Sequence, residues 1–195
     1  RGGAPSAFDR NLSTLLGAEA IEAITSMDPN GEPLIVGMQG NKLTRTRLDV
    51  ALAKTKAVAD AVAAKNYDEA LELRGHSFAE SFDIVRTLVR ALPHEPTPGQ
   101  RRLRLAVMHG GGPAPGMNTA VRAAVRIAID RGHTVLGVRN AFRGLINNEI
   151  EEMEWMSVNG WATRGGSELG TNRTIPKGRD LYAIARHLEE HKVDG

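Results

Sequence analysis

The sequence predicts an α/β fold in which helices flank a parallel sheet, and the second half of the chain carries the observations that predict it. Residues 103–109, LRLAVMH, form a short apolar run typical of a buried strand. Residues 116–131 have apolar side chains at helical spacing, and residues 133–140, HTVLGVRN, form a second strand. A strand, a helix and a strand in this order make the βαβ unit of parallel sheets. A last helix at 178–191 could lead into a third strand.

The residues before this unit are predicted to be mainly helical. Pro5, Ser6 and Asp9 are typical of a helix start, and the apolar spacing that follows predicts a helix over residues 5–26. Residues 34–39, LIVGMQ, predict a buried strand. Three further helices are predicted from their apolar spacing, of which the second is ended by a glycine, Gly75: 48–62, 66–75 and 78–92.

A linker is predicted between these two regions. Residues 93–102, PHEPTPGQRR, contain three prolines and a glycine, a composition that favours neither a helix nor a strand. We therefore divide the chain into residues 1–92, a linker at 93–102, and residues 103–195.

The composition excludes several classes of function. The 195 residues are 41% hydrophobic and 25% charged with a net charge of +2, and no basic stripe with interleaved aromatic residues indicates nucleic-acid binding. Cysteine is absent, which excludes disulfides and thiolate metal sites. No apolar run approaches the roughly 20 residues of a membrane-spanning helix, and the histidines lack metal-site spacing. We expect a cytoplasmic protein with no membrane or nucleic-acid partner.

A glycine-rich loop follows the strand at 103–109. Gly110, Gly111, Gly112 and Gly116 stand between this strand and the next helix, where an open α/β sheet usually binds phosphate at unpaired backbone N–H groups. The spacing matches neither the dinucleotide fingerprint G-x-G-x-x-G nor the phosphate-binding P-loop. The glycines therefore predict either a phosphate site or merely a tight turn.

Three arginines are candidates to assist this loop. Arg122 and Arg126 are four residues apart and share one helix face, so they form either a solvated surface or an anion site of two guanidiniums. Arg173 ends a second glycine-bearing loop, residues 163–173, and either reaches over the glycine turn or is a surface charge. Three other side chains are most simply structural: His109, satisfied by a neighbour, and Trp155 and Trp161, which pack.

These motifs together resemble the 6-phosphofructokinase family. The motifs that support this resemblance are GGPAPGMN with the AVRAAVR that follows it, AFRGL at 141–145, WMSV at 155–158 and GGSELGTNR at 165–173. Upstream, RGGAPSAFDR at 1–10 is similar to a segment that comes late in a catalytic unit of that family. Because the late segment stands before the early one, the resemblance implies the tandem-duplicated, eukaryotic-type enzymes, and GGSELGTNR with RGHTVLGV at 131–138 most resembles their fungal-type second halves. We therefore expect a fragment that joins the end of the first, catalytic half to the start of the second, regulatory half.

The resemblance implies a fold and a set of site residues. The fold is the phosphofructokinase fold, a Rossmann-like parallel sheet with flanking helices, incomplete in this fragment. Arg1 matches an arginine that holds the phosphate of fructose 6-phosphate. The other implied roles are nucleotide or effector-phosphate binding by Gly111, Gly112, Phe142 and Arg173, and effector binding by Arg122 and Arg126.

One departure from the family pattern bears on catalysis. Catalytic halves carry an Asp where this chain has Pro113, and the family's general-base motif is not found here, so the resemblance implies no catalytic residue and no metal ligand in this chain. We expect the parent protein to be an oligomeric, allosteric enzyme of glycolysis that phosphorylates fructose 6-phosphate with ATP and Mg²⁺. The second half would bind an effector such as fructose 2,6-bisphosphate, and the isolated chain would be inactive.

Two other functions remain open at this point. One is a non-catalytic regulatory or assembly module that binds a sugar bisphosphate, which Pro113 favours. The other is a dinucleotide-binding oxidoreductase domain. Residues 138–140, VRN, argue against it because they end the second strand without the carboxylate that would bind the ribose.

Overall fold

A computed structural model describes residues 4–28 and 30–195, which divide into two compact units between Phe82 and Asp83. The helices are α1 (Ala7–Ser26), α2 (Leu48–Ala63), α3 (Tyr67–Arg74), α4 (His76–Val89), α5 (Met117–Asp130), α6 (Ala141–Asn147) and α7 (Arg179–Glu190). The strands are β1 (Leu34–Gln39), β2 (Lys42–Arg47), β3 (Arg104–Val107), β4 (His109–Gly110), β5 (Thr134–Val138), β6 (Ile150–Met153) and β7 (Thr171–Asn172). The boundary between the units lies inside α4. The division into parts of two homologous halves, with a linker at 93–102, stays a prediction.

The first unit begins with a capped helix. The Asp9 N–H donates to Ser6 Oγ at 3.2 Å, and the Ser6 N–H donates to Asp9 Oδ2 at 2.8 Å. This reciprocal capping box satisfies two N–H groups that no helical carbonyl can reach. The predicted start of this helix is confirmed, as is the end of α3 at Gly75, whose φ of 96° suits a glycine.

The strand predicted at 34–39 belongs to a hairpin. β1 pairs antiparallel with β2 through a two-residue turn at Gly40 and Asn41, both with positive φ. The expectation that β1 is buried was wrong, since none of its residues is fully buried and its end residues are exposed. The partner strand, KLTRTR, was not predicted because it contains only one large apolar side chain. Among the described residues of this unit, the buried hydrophobic side chains are those of alanines: Ala23, Ala61 and Ala70.

The second unit contains the main hydrophobic core and a three-stranded sheet in the order β3-β5-β6. β3 and β5 are parallel, with Leu105 opposite Val135, and α5 connects them. The strand–helix–strand prediction and the α/β fold class are therefore confirmed. β6 pairs antiparallel with β5, which makes the sheet mixed. Its sequence, IEEM, did not predict a strand because two acidic residues occupy its centre.

The opposite edge of β3 is occupied by the last residues of the chain. The Asp194 N–H donates to the Arg104 carbonyl at 2.8 Å, and the Ala106 N–H donates to the Gly195 carbonyl at 2.7 Å. These bonds alternate along β3 as in a sheet ladder. The residues after α7 thus pair with the free edge of β3, although the sequence predicts a third strand only beyond Gly195. No helix in the described part of the chain is long and apolar enough to cross a membrane.

Candidate phosphate-binding site

The glycine loop lies between the end of β3 and the first turn of α5. β4, at the start of this loop, pairs in parallel with β7, and the Gly111 N–H donates to the Asn172 carbonyl at 3.0 Å. Gly111 and Gly116 have φ of 87° and 91°, a region that favours glycine. Gly116 also forms the N-cap of α5 without a side-chain hydrogen bond. The loop therefore presents backbone at the positive end of a helix, the place that favours an anion.

Arg173, the residue after β7, lies over this turn. A Cβ atom added to Gly112 would lie 3.0 Å from a guanidinium nitrogen of Arg173, so the glycine is what lets the arginine approach the backbone so closely. The Arg173 side chain is exposed. Within residues 4–28 and 30–195, no hydrogen bond or ion pair engages its guanidinium. An exposed cation above a glycine turn can accept a phosphate without first breaking another contact.

His109 and Ser167 join the two glycine loops. His109 Nδ1 lies 2.6 Å from Ser167 Oγ, and Ser167 Oγ donates its only proton to the Gly170 carbonyl at 3.0 Å. Ser167 must therefore accept from His109, which places the imidazole proton on Nδ1. His109 is buried. It is satisfied by a neighbour, as the sequence predicts, and it helps to hold the second loop against the first.

Asn118, in the first turn of α5, was not predicted as a site residue. Its side chain is fully buried, and it makes three hydrogen bonds to the backbone of residues 164–168. The signals for it were its place beside the glycine loop and its position at the end of the GGPAPGMN motif, but neither gave it a role.

Phe142 lies in the first turn of α6, a helix that contacts both β4 and β7. Its side chain is 38% exposed. It therefore lies on an element next to the two loops, with an aromatic face that is accessible to solvent.

Arg122 and Arg126 make a separate cluster with the end of α4. Arg122 Nη2 donates to the Leu88 carbonyl at 2.7 Å, and Arg126 Nη1 donates to the carbonyls of Leu88 and Arg90 at 2.8 and 3.3 Å. The Arg126 guanidinium stacks 4.6 Å from the centre of the Trp155 ring, and Trp155 Nε1 also donates to the Arg90 carbonyl. Two cations thus cap carbonyls that the helix itself leaves unpaired.

Arg126 is only 5% exposed, so its face of α5 is not a solvated surface. Burial, followed by the positive charge of Arg122, lowers the pKa of the Arg126 guanidinium, which remains protonated at neutral pH. Its Nε is buried and has no hydrogen-bond partner among the described residues. The effector role predicted for Arg122 and Arg126 stays a prediction.

The remaining predicted ligands concern the substrate and the metal. Arg1 lies outside the described residues. Among the described residues, no three His, Cys, Asp or Glu side chains come close enough to hold a metal ion. Pro113 supplies neither a carboxylate nor an N–H to the glycine loop. The absence of a metal ligand in this chain stays a prediction.

Comparison with known proteins assigns these loops to a family. Residues 104–195 match the family model described as Phosphofructokinase. The whole chain is 39% identical to the β subunit of ATP-dependent 6-phosphofructokinase from Candida albicans, over 197 residues, and 43% identical over 194 residues to the human liver-type enzyme. Residues 104–195 belong to the phosphofructokinase family, and the whole chain is similar in sequence to phosphofructokinases.

Solved structures of phosphofructokinases agree with this assignment. The crystal structure of Pichia pastoris phosphofructokinase in the T-state superposes with a TM-score of 0.88 at 32% identity, and it covers all of this chain. The phosphofructokinase from Saccharomyces cerevisiae superposes with a TM-score of 0.87 at 33% identity. The predicted phosphofructokinase fold is confirmed.

The chain is much shorter than these phosphofructokinases. It spans 21% of the Candida albicans protein and 24% of the human one, and 22% and 26% of the two solved chains. It therefore corresponds to about a quarter of the relatives that it matches.

Proposed function

We propose that this chain is part of an ATP-dependent 6-phosphofructokinase, whose whole form transfers the γ-phosphoryl group of Mg-ATP to fructose 6-phosphate in glycolysis. Within it, residues 103–195 begin the regulatory half, and the glycine loop under Arg173 binds a phosphorylated effector such as fructose 2,6-bisphosphate. The similarity to relatives named ATP-dependent 6-phosphofructokinase supports this activity of the parent. We further propose that the parent is cytoplasmic and oligomeric and that Arg1 binds its sugar substrate.

The approach of Arg173 to the glycine turn carries this proposal. The guanidinium lies above backbone that has no side chain at Gly112, beside the first turn of a helix, and no described residue neutralises it. A planar cation with several N–H donors suits a phosphate dianion, and the helix N-terminus adds a favourable dipole. The exposed ring of Phe142, on the neighbouring α6, supports a ligand that carries a base or a sugar ring beside its phosphate.

Pro113 favours binding over catalysis at this loop. In-line phosphoryl transfer needs a positioned metal ion and a residue that orients the nucleophile. The described residues offer no acidic cluster for the metal. The second candidate function, for the chain taken alone, is therefore a non-catalytic module that binds an effector. Unlike a part of the kinase, such a module needs no other segment of the enzyme to supply catalysis. Membership of the phosphofructokinase family disfavours the dinucleotide-binding oxidoreductase.

The test is a calorimetric titration of the purified chain with fructose 2,6-bisphosphate and, separately, with ATP. We expect Arg173→Met to weaken binding of the sugar bisphosphate by about tenfold to a hundredfold, the range for a hydrogen bond to a charged group. Arg164→Met is the matched control, because Arg164 lies on the same loop but is paired with Glu168 at 3.3 Å. Equal losses of affinity in both variants would indicate general electrostatic attraction and would contradict a specific phosphate site at Arg173.

A coupled assay for fructose 1,6-bisphosphate separates the proposed roles. The chain alone should give no turnover with ATP and fructose 6-phosphate, because Pro113 leaves the glycine loop without a carboxylate for the metal ion. ATP-dependent turnover by the pure chain would contradict the non-catalytic reading of the loop, whatever the titration gives.

A further inference from the structure

A single buried side chain fastens the loop that carries Arg173 to helix α5. Asn118 Nδ2 donates to the carbonyls of Arg164 and Gly165, at 3.1 and 3.3 Å, and Asn118 Oδ1 accepts from the Glu168 N–H at 2.7 Å. The side chain has no exposed surface. Every hydrogen-bonding atom of this amide therefore holds the same short stretch of backbone.

The chemistry of the contact requires an amide of this length. A primary amide has two donor hydrogens and an acceptor oxygen, and here both kinds of group are used on neighbouring backbone atoms. A Leu of similar volume would leave two carbonyls and one N–H without this partner. Because the site is buried, those groups would recover hydrogen bonds only if the loop moved.

The fastened stretch leads directly to Arg173. Leu169 follows the anchored Glu168 and is 1% exposed within the main core of the unit. Gly170 then turns the chain at a φ of 75°, where an added Cβ would lie 2.5 Å from Asn140 Oδ1. The next two residues form β7, which pairs with β4 beside the glycine loop. The backbone between the Asn118 contact at Glu168 and Arg173 therefore has little room to move.

We propose that Asn118 is a positioning residue that holds the Arg173 guanidinium over the glycine turn and thereby sets the affinity for a phosphorylated ligand. The proposal rests on the proposed function of the same loop. It assigns to Asn118 no contact with the ligand. Its effect on binding must therefore pass through Arg173.

The experiment is a double-mutant cycle on the 195-residue chain, with fructose 2,6-bisphosphate as the probe in calorimetric titrations. Asn118→Leu removes all three hydrogen bonds at nearly constant volume, and Asn118→Ser keeps a hydroxyl and is the milder variant. Thr119→Val is the matched control, because Thr119 Oγ1 donates from the same helix to the Ala162 carbonyl, outside the anchored stretch. Circular dichroism and a thermal transition well above the titration temperature establish that each variant is folded.

We expect Asn118→Leu to weaken binding about tenfold in the wild-type background, Asn118→Ser to weaken it less, and Thr119→Val to change it by less than about twofold. In an Arg173→Met background, the Asn118 substitutions should change affinity by less than about twofold, since the group they position is already gone. A merely structural role would lower the thermal transition equally in both backgrounds but would not produce this coupling.

Three outcomes overturn the inference. If the double variant loses affinity by the product of the two single-variant losses, Asn118 does not act through Arg173. Full affinity in Asn118→Ser and in any folded Asn118→Leu, together with a loss in Arg173→Met, would overturn the role of Asn118 and leave the proposed function intact. Unchanged affinity in Arg173→Met would overturn the proposed function and this inference with it.

Discussion

Replacement of Arg126 by methionine tests whether the cluster at the end of α4 stabilises the fold. The substitution removes two hydrogen bonds from a charged donor, at 2.8 and 3.3 Å, and the stacking on Trp155 at 4.6 Å. Hydrogen bonds of this kind contribute about 1.5–3 kcal/mol each, and a cation–π contact about 0.5–2 kcal/mol. These are the losses that the free energy of unfolding should register.

Two features of the structure reduce the net loss. The Leu88 carbonyl keeps Arg122 Nη2 as a donor, and the Arg90 carbonyl keeps Trp155 Nε1, so neither acceptor is left unpaired. Removal of a buried guanidinium whose Nε has no partner also recovers its desolvation cost, which amounts to several kcal/mol for a buried ion. We therefore expect Arg126→Met to lower the free energy of unfolding by about 2 kcal/mol.

Urea unfolding followed by tryptophan fluorescence measures this effect. Both tryptophans of the chain, Trp155 and Trp161, belong to the second unit, so the signal reports the unit that contains Arg126. A loss of about 2 kcal/mol corresponds to a midpoint lower by about 1 M urea. Arg122→Met, which removes one bond to a carbonyl that Arg126 still serves, should cost about 1 kcal/mol or less. An Arg126→Met midpoint equal to that of the wild type would refute the stabilising role and leave the pair available to an effector.

Three further perturbations test separate contacts. Burial raises the pKa of Asp130, but hydrogen bonds from the backbone and side chain of His94 and nearby positive charge outweigh burial and hold the pKa below its ordinary 3.8. Because the folded state favours the carboxylate, Asp130→Asn should lower the free energy of unfolding by about 1 kcal/mol at pH 7. This difference should persist above about pH 4 and disappear in acid unfolding curves as the pH falls through the lowered pKa. Gly111→Ala places a side chain at a φ of 87° and should cost about 1 kcal/mol in urea unfolding while it weakens binding of fructose 2,6-bisphosphate; unchanged binding would separate the turn from the site. Gly144→Ala would bring a Cβ within 1.6 Å of the Arg139 carbonyl oxygen and should lower the unfolding free energy by about 3 kcal/mol, whereas a variant as stable as the wild type would contradict the tight turn into α6.

Local signals predicted the elements whose sequence carries one clear period or cap. Ser6 and Asp9 predicted the start of α1, Gly75 predicted the end of α3, and the apolar run at 103–109 predicted β3 with its continuation in β4. The hairpin partner β2 could not be predicted in this way, because most of its side chains are polar and it is held mainly by main-chain hydrogen bonds to β1. A strand with so little apolar surface gives no burial pattern to read.

The site was predicted by its glycines, but its assembly was not. The Gly110 to Gly112 run and Arg173 were identified as candidates from the sequence, and their approach to each other depends on β4 pairing with β7 across about sixty residues of chain. Asn118 binds backbone groups of a loop distant in sequence, and Ser167 binds the distant His109 side chain, so no local pattern could predict these contacts. Arg126 was ambiguous for a similar reason, because its hydrogen-bond acceptors are the carbonyls of Leu88 and Arg90, which are distant in sequence.

The most direct test of the proposed site is amide hydrogen exchange of the chain with and without saturating fructose 2,6-bisphosphate. We predict protection in peptides that cover residues 109–116 and 164–174, and weaker protection at the same ligand concentration when Arg173 is replaced by methionine. Slower exchange confined to the end of α4 and the Arg122 face of α5 would locate the ligand at the arginine pair instead. That result, or no protection anywhere at a saturating concentration, would contradict the assignment of the glycine turn as the phosphate site.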